Sequence, residues 1–221
     1  MKIKQWLFLV ALGGAAVGMN PALAQMHMPD HYDRQFDKAK EWAKTFDDPA
    51  RDHWQQPERV IAALAIAPNA TVADIGSGTG YFAVRLAQSV PQGRVLGIDI
   101  QPDMVHYLNE RAHREGLTNL VSRLGAKDDP KLPSPVDLAI VVDTYHHIGG
   151  RDQYFRRVRD KLKPGRLVII DFRQDAVLGP PKHFRVSPEQ VKQELSKIGF
   201  EFVKEETFLP QQYFLVFQAA S

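Results

Sequence analysis

Among its 221 residues the chain has no cysteine. That excludes disulfides, a thiol nucleophile, a thiolate metal site and a cysteine-linked lipid anchor. It has no sizeable excess of either charge: 28 Lys and Arg stand against 26 Asp and Glu, a formal net charge of +2. Such a balance supplies no electrostatic footprint for nucleic acid. No internal repeat is visible. No apolar run reaches the roughly 20 residues of a membrane-spanning helix. There is no G-K-[ST], so the glycines of this chain do not form a P-loop. What is present is ordinary globular material, 44% hydrophobic and 24% charged, enough for one α/β domain with a full core.

The first 24 residues differ from the rest. Lys2 and Lys4 give a positive start, Trp6 to Val17 is apolar or glycine, and Ala22-Leu23-Ala24 is a small-x-small cleavage site. This order predicts a secretory signal peptide over residues 1–24, with an uncleaved membrane anchor as the alternative. Removing it takes away two lysines and no acid, which leaves 26 basic against 26 acidic residues and no stable membrane span. Residues 25–60 read as a linker and helical cap, and 61–221 as the main domain. In the linker, Met26, His27, Met28 and His31 are possible copper ligands. Nothing downstream completes a metal site, and a flexible tether is the expectation. The cap has Phe36, Trp42 and Phe46 on a predicted helix from Tyr32 to Phe46.

The chain is organised around Val72-Ala73-Asp74-Ile75-Gly76-Ser77-Gly78-Thr79-Gly80-Tyr81-Phe82. An apolar strand, a glycine-rich turn and a helical pattern form the first unit of a doubly wound sheet. Glycine lets the backbone turn sharply and come close to a ligand, and the turn aims the helix's first N–H groups at it. A dinucleotide fingerprint is G-x-G-x-x-G. Here the third glycine comes one place early, and Tyr81 stands where that pattern wants glycine. Asp74, two residues before the first glycine, suits a ligand with an ammonium group better than a pyrophosphate. This D-x-G-x-G-x-G resembles the first motif of the class I S-adenosylmethionine-dependent methyltransferases. A glycine-rich turn without a ligand is the alternative.

The resemblance implies a seven-stranded Rossmann-like sheet of order 3-2-1-4-5-7-6, its last strand antiparallel, with helices on both faces, and it covers the chain from about Asp30 to the C-terminus. Arg94 to Asp99 is a second strand, and Asp99 ends it about 20 residues past the glycines, where a carboxylate meets ribose hydroxyls. Pro102 opens a helix that Gly116 stops, and Leu120 to Leu124 is a third strand. Val136 to Val142 is a central strand, ending in Asp143-Thr144-Tyr145-His146-His147. A helix with Tyr154, Phe155, Val158 and Leu162 inside follows, then Leu167 to Phe172 as the fifth strand. Ser187-Pro188-Glu189-Gln190 is a capping-box start. Phe200 to Val203 and Tyr213 to Phe217 read as a closing antiparallel pair.

The R-x-x-W-Q-x-P stretch from Arg51 to Pro57 and the K-P-G turn before the fifth strand are similar to small bacterial methyltransferases. The resemblance implies S-adenosyl-L-methionine held by Asp74, Gly76, Ser77, Gly78, Gly80, Tyr81, Asp99, Ile100 and Asp143. It implies Asp128 at the adenine amine and the segment of Trp54 closed over the cofactor; Trp54 as a packing residue is the alternative. It further implies that Tyr145, His146 and His147 wall the space between methyl donor and acceptor. His147 is the expected base, an even step from Tyr145 if strand geometry runs on; purely structural histidines are the alternative. The reading is an exported methyltransferase acting on a small molecule. A non-catalytic nucleoside-binding protein on the same fold and an NAD-dependent oxidoreductase are the alternatives. Acceptor and oligomeric state stay open.

Overall fold

The structure, a computed structural model, describes residues 36–220 except Ser134 and Lys163. The predicted signal peptide and the linker from Gln25 to Asp33 lie outside the described residues. Helix α1 (Ala39–Phe46), a single 3-10 turn (Pro49–Arg51), α2 (Asp52–Gln55) and α3 (Pro57–Leu64) precede the sheet. The alternation that follows is β1 (Thr71–Ile75), α4 (Tyr81–Ser89), β2 (Arg94–Asp99), α5 (Pro102–Arg114) and β3 (Leu120–Leu124). It continues with β4 (Leu138–Val142), α6 (Arg151–Lys161), β5 (Arg166–Phe172), α7 (Pro188–Lys197), β6 (Phe200–Glu206) and β7 (Gln212–Ala219).

The seven strands lie in the order β3-β2-β1-β4-β5-β7-β6. β1 pairs parallel with β2 and β4, and β7 runs antiparallel to both β5 and β6. Side chains alternate across each strand, so every strand feeds two cores. Ala73, Ile75, Leu96, Ile98, Val141 and Ile169 meet Phe155 and Val158 of α6 and Val191 and Leu195 of α7. Val72, Val95, Leu138, Ile140 and Val168 meet Val60 of α3, Leu86 of α4 and Leu108 of α5. Burial on both faces explains why the strands read as unbroken apolar runs. Ser187 caps α7 as expected, accepting the N–H of Gln190 at 3.2 Å.

Two local expectations are corrected. β4 starts at Leu138, not Val136, because the Val136 N–H donates to the Lys161 carbonyl at the end of α6 instead of joining the ladder. Strand geometry also does not run on past Asp143. That residue has φ +52°, and Tyr145–His147 coil into a 3-10 turn. Such a turn has about three residues per revolution, so three successive side chains point in three directions.

Candidate functional site

The reversal of strand order between β1 and β4 opens a crevice at the strands' carboxyl ends, as doubly wound sheets do. A cavity of about 740 Å³ fills it, well within the range of small-ligand sites. One wall is the glycine turn. Gly76 (φ +77°) and Ser77 donate their N–H groups to the Ile98 carbonyl at 2.7 and 3.1 Å, which clamps the turn onto β2. Gly78 (φ +52°) lies against the cavity with only the Phe46 ring, 3.6 Å from where a Cβ would stand. Gly80 has another task. It does not line the cavity, and a Cβ there would lie 2.3 Å from Leu108, so its missing side chain lets α5 pack against the start of α4. Packing against Leu108 thus accounts for a glycine at position 80 without any ligand contact.

Three carboxylates face the cavity from strand ends. Asp74, only 3% exposed, is pushed up to about 7 by burial, then by the neighbouring charge of Asp99, with Arg51 opposing. Asp99 accepts the N–H of Gly78 and of Gln101, each at 2.9 Å. Burial raises its pKa, and those N–H groups hold it back. Asp143 is also pushed up to about 7, by burial first, with Arg51 opposing and Asp171 adding to the rise. Arg51 and Gln212 donate to its two carboxylate oxygens. Gln55, fully buried, joins the two halves of this network by accepting from Arg51 and donating to Gln212 at 2.5 Å.

The cap forms a second wall. Phe36, Trp42 and Phe46 form an aromatic cluster with ring centroids 5.0–5.6 Å apart, and all three line the cavity. Tyr81 donates its hydroxyl to Asp52 at 2.5 Å and lies under the guanidiniums of Arg51 and Arg85. The first turn of α4 is thereby tied to α2. Trp54 lines the cavity with its ring 5.8 Å from that of Phe172. Ile100 and Asp128 line the cavity as well. Asp128 is exposed and ion-paired to Arg157 at 3.4 Å.

The segment after Asp143 separates the three residues expected together. Tyr145 is fully buried and does not line the cavity. It stacks on Phe155 and donates its hydroxyl to Glu194 at 2.7 Å. Its expected place on the acceptor wall is corrected: the 3-10 turn sends it into the core beside α7. His146 and His147 do line the cavity. His147 meets the edge of Phe36 at 5.3 Å. His146 is 3% exposed, and its Nδ1 lies 2.9 Å from both oxygens of Asp171.

Sequence reasoning missed Asp171, although a single acid near the end of the apolar run Leu167–Phe172 was the available signal. It also missed the last wall, formed by Phe172 and Gly179-Pro180-Pro181. Arg185 builds that wall by donating to the carbonyls of Arg173, Ala176, Leu178 and Pro180 at 2.7–3.0 Å.

The arrangement suits a ligand with a cation at one end and a nucleoside at the other. Asp74 is a buried carboxyl whose anion a ligand ammonium would stabilise. Gly78 leaves room for close approach, and Asp99 sits where ribose hydroxyls would bond.

Comparison with known proteins agrees. A family model described as a methyltransferase domain matches residues 66–212. The chain is 33% identical over 121 residues to a tRNA U34 carboxymethyltransferase of Desulfotalea psychrophila, covering 53% of this chain and 36% of that protein. It is 29% identical over 159 residues to an arsenite methyltransferase of Halobacterium salinarum, covering 65% of this chain and 40% of that protein. It therefore spans well under half the length of these relatives. A solved structure of a SAM-dependent methyltransferase from Aquifex aeolicus is 25% identical with TM-score 0.76, over 84% of this chain and 100% of that one. A magnesium protoporphyrin IX methyltransferase from Synechocystis with bound SAM shares the fold, with TM-score 0.60 at 19% identity over 86% and 88% of the two chains.

Proposed function

The chain belongs to the methyltransferase-domain family, and we propose that it methylates a small apolar acceptor after export from the cytoplasm. Its cofactor is S-adenosyl-L-methionine. One observation carries the reading: Asp74, Gly78 and Asp99 share a single cavity with the aromatic cluster of Phe36, Trp42 and Phe46. Asp74 would hold the ammonium, the glycine turn the close-approaching body, and Asp99 the ribose. Ile100 and Asp128 stand at the adenine end in this reading. The bound cofactor supplies an electrophilic methyl group on a sulfonium.

The chain's own residues align the reactants and keep water out. Aromatic walls do both at once, because holding two reactants in a dry pocket replaces most of the entropy of encounter. A small acceptor is favoured over a nucleic acid by two features. The aromatic cap overlies the glycine turn at Gly78, and the chain beyond residue 24 balances 26 basic against 26 acidic residues. Export is supported by the charged, apolar and A-x-A order of the first 24 residues.

Calorimetry with S-adenosylhomocysteine tests the cofactor site. Transfer of a labelled methyl group to small hydroxyl, thiol and amine compounds, with bulk tRNA alongside, tests the acceptor class. Transfer to tRNA alone would overturn the small-molecule reading.

A further inference from the structure

The methyltransferase reading leaves one buried pair unused. Asp171 lies near the end of β5 and His146 in the 3-10 turn after β4, 25 positions apart in sequence. The Asp171 carboxylate is held by three backbone and side-chain donors. The Phe172 N–H reaches Oδ1 at 2.7 Å, the His146 N–H reaches Oδ2 at 3.2 Å, and His146 Nδ1 lies 2.9 Å from both oxygens. A carboxylate so placed keeps the proton of a neutral imidazole on Nδ1 and makes Nε2 the basic nitrogen. Imidazole geometry then turns Nε2 away from Asp171. A buried Asp behind a histidine of fixed tautomer is also the arrangement by which hydrolases orient their general base.

Resting on the methyltransferase reading, we propose that His146, oriented by Asp171, is the general base of methyl transfer, and that the acceptor is an apolar hydroxyl or thiol compound. Such a nucleophile is weak while its proton is attached. As the reaction proceeds, the acceptor's O–H or S–H bond breaks and its proton passes to Nε2. The electron pair left on oxygen or sulfur forms the new bond to the methyl carbon. The methyl carbon's old bond breaks with its pair remaining on the cofactor sulfur, which loses its positive charge. The proton's positive charge now rests on His146, where the Asp171 carboxylate stabilises it. Charge is conserved, and no further reagent is needed.

The surroundings favour this acceptor class over a charged one. Phe36, Trp42, Phe46, Trp54 and Phe172 give the cavity a large apolar surface that an uncharged acceptor would meet. Among the groups that act on His146 are Asp171, Asp143 and Arg185, with the His147 ring at 4.2 Å. Burial alone would depress the imidazole. The charge and hydrogen bond of Asp171, aided by Asp143, outweigh it and hold the pKa above its ordinary value, with Arg185 opposing. Methylation of a phenol- or thiol-like acceptor should then fall away on the acid side, as His146 takes up its proton before the acceptor arrives.

The test uses the full chain, labelled S-adenosyl-L-methionine, and substituted phenols and benzenethiols whose acidities bracket the assay pH. His146→Gln should lower kcat by about 10²–10⁴ on acceptors that are protonated at that pH. The loss should shrink to less than about tenfold on acceptors already ionised, for which no base is needed. Asp171→Asn should lower the His146 pKa read by NMR titration, a readout independent of turnover. Asp171→Glu should restore part of it.

An equal loss across the acceptor series would overturn the base assignment. So would an unchanged His146 titration in Asp171→Asn. Methyl transfer to amines alone would overturn the acceptor class. Failure of the unaltered protein to bind S-adenosylhomocysteine would instead overturn the methyltransferase reading, which separates the two failures.

Discussion

The guanidinium of Arg51 ends 3.1 Å from the carboxylate of Asp143, 92 positions further along the chain. Arg51 belongs to the segment ahead of the sheet, and Asp143 closes the central strand. The same guanidinium lies 4.0 Å over the Tyr81 ring. One side chain therefore ties the cap, the strand end and the glycine turn together, at the rim of the cavity.

Replacing Arg51 with methionine should leave Asp143 without its counter-ion and raise its pKa further. A hydrogen bond to a charged group is lost, so stability should fall by about 1–3 kcal/mol. Urea titration near pH 8 reads the loss. It should diminish at pH 5, where Asp143, already shifted to about 7, is protonated with or without Arg51.

Asp74 should make cofactor binding depend on pH. Its folded pKa of about 7 stands above the value of 3.8 for a free side chain. Between those values the folded protein holds a proton that the unfolded chain has lost. Stability from this group is therefore present at low pH and is lost as pH rises through about 7. Asp143 acts in the same direction. A ligand ammonium reverses the preference at Asp74 by stabilising the anion. Affinity for S-adenosyl-L-methionine should thus rise from pH 6 to pH 8 and then level off. Calorimetry at pH 6 in buffers of different ionisation heat should detect proton release; a pH-independent affinity without it counts against the assignment.

Two glycines of the turn should respond differently. At Gly78, a valine enters the left-handed region beside the cavity, and cofactor affinity should drop at least about tenfold, the equivalent of 1.4 kcal/mol. At Gly80, an alanine Cβ would lie 2.3 Å from Leu108. Overpacking of that kind costs about 1–3 kcal/mol of stability. Thermal melts and calorimetry on Gly78→Val and Gly80→Ala separate the effects.

Arg185→Leu should loosen the wall from Arg173 to Pro181, because the carbonyls it gathers lose their donor. Hydrogen exchange should quicken in that segment and stay unchanged in β1 and β2. Affinity for S-adenosylhomocysteine should be retained, since the proposed cofactor contacts Asp74, Gly78 and Asp99 belong to β1, the glycine turn and β2 and not to this wall.

Export should remove residues 1–24. Intact-mass analysis of the protein from its native host should give a chain beginning at Gln25. A full-length soluble species in the cytoplasm would count against the signal peptide.

The amino-acid sequence by itself determined the architecture. Strands buried on both faces write themselves as apolar runs such as Leu138–Val142, and Gly78 and Asp99 mark a strand-turn-helix unit and its crevice by local spacing. Those signals are local because backbone conformation and side-chain period are local properties. The division of labour in the site was decided only by tertiary structure. Gly78 and Gly80 look alike in sequence, yet Leu108 from a later helix claims the space beside one of them. Tyr145, His146 and His147 are adjacent, but the positive φ of Asp143 and the turn after it aim them at the core, at Asp171 and at Phe36. His146 finds Asp171 only because the parallel sheet brings the ends of β4 and β5 side by side, and Arg51 finds Asp143 only because the segment ahead of the sheet folds back over the end of β4. No periodicity within a segment encodes which distant side chain will stand opposite, since that depends on the order in which the strands are stacked.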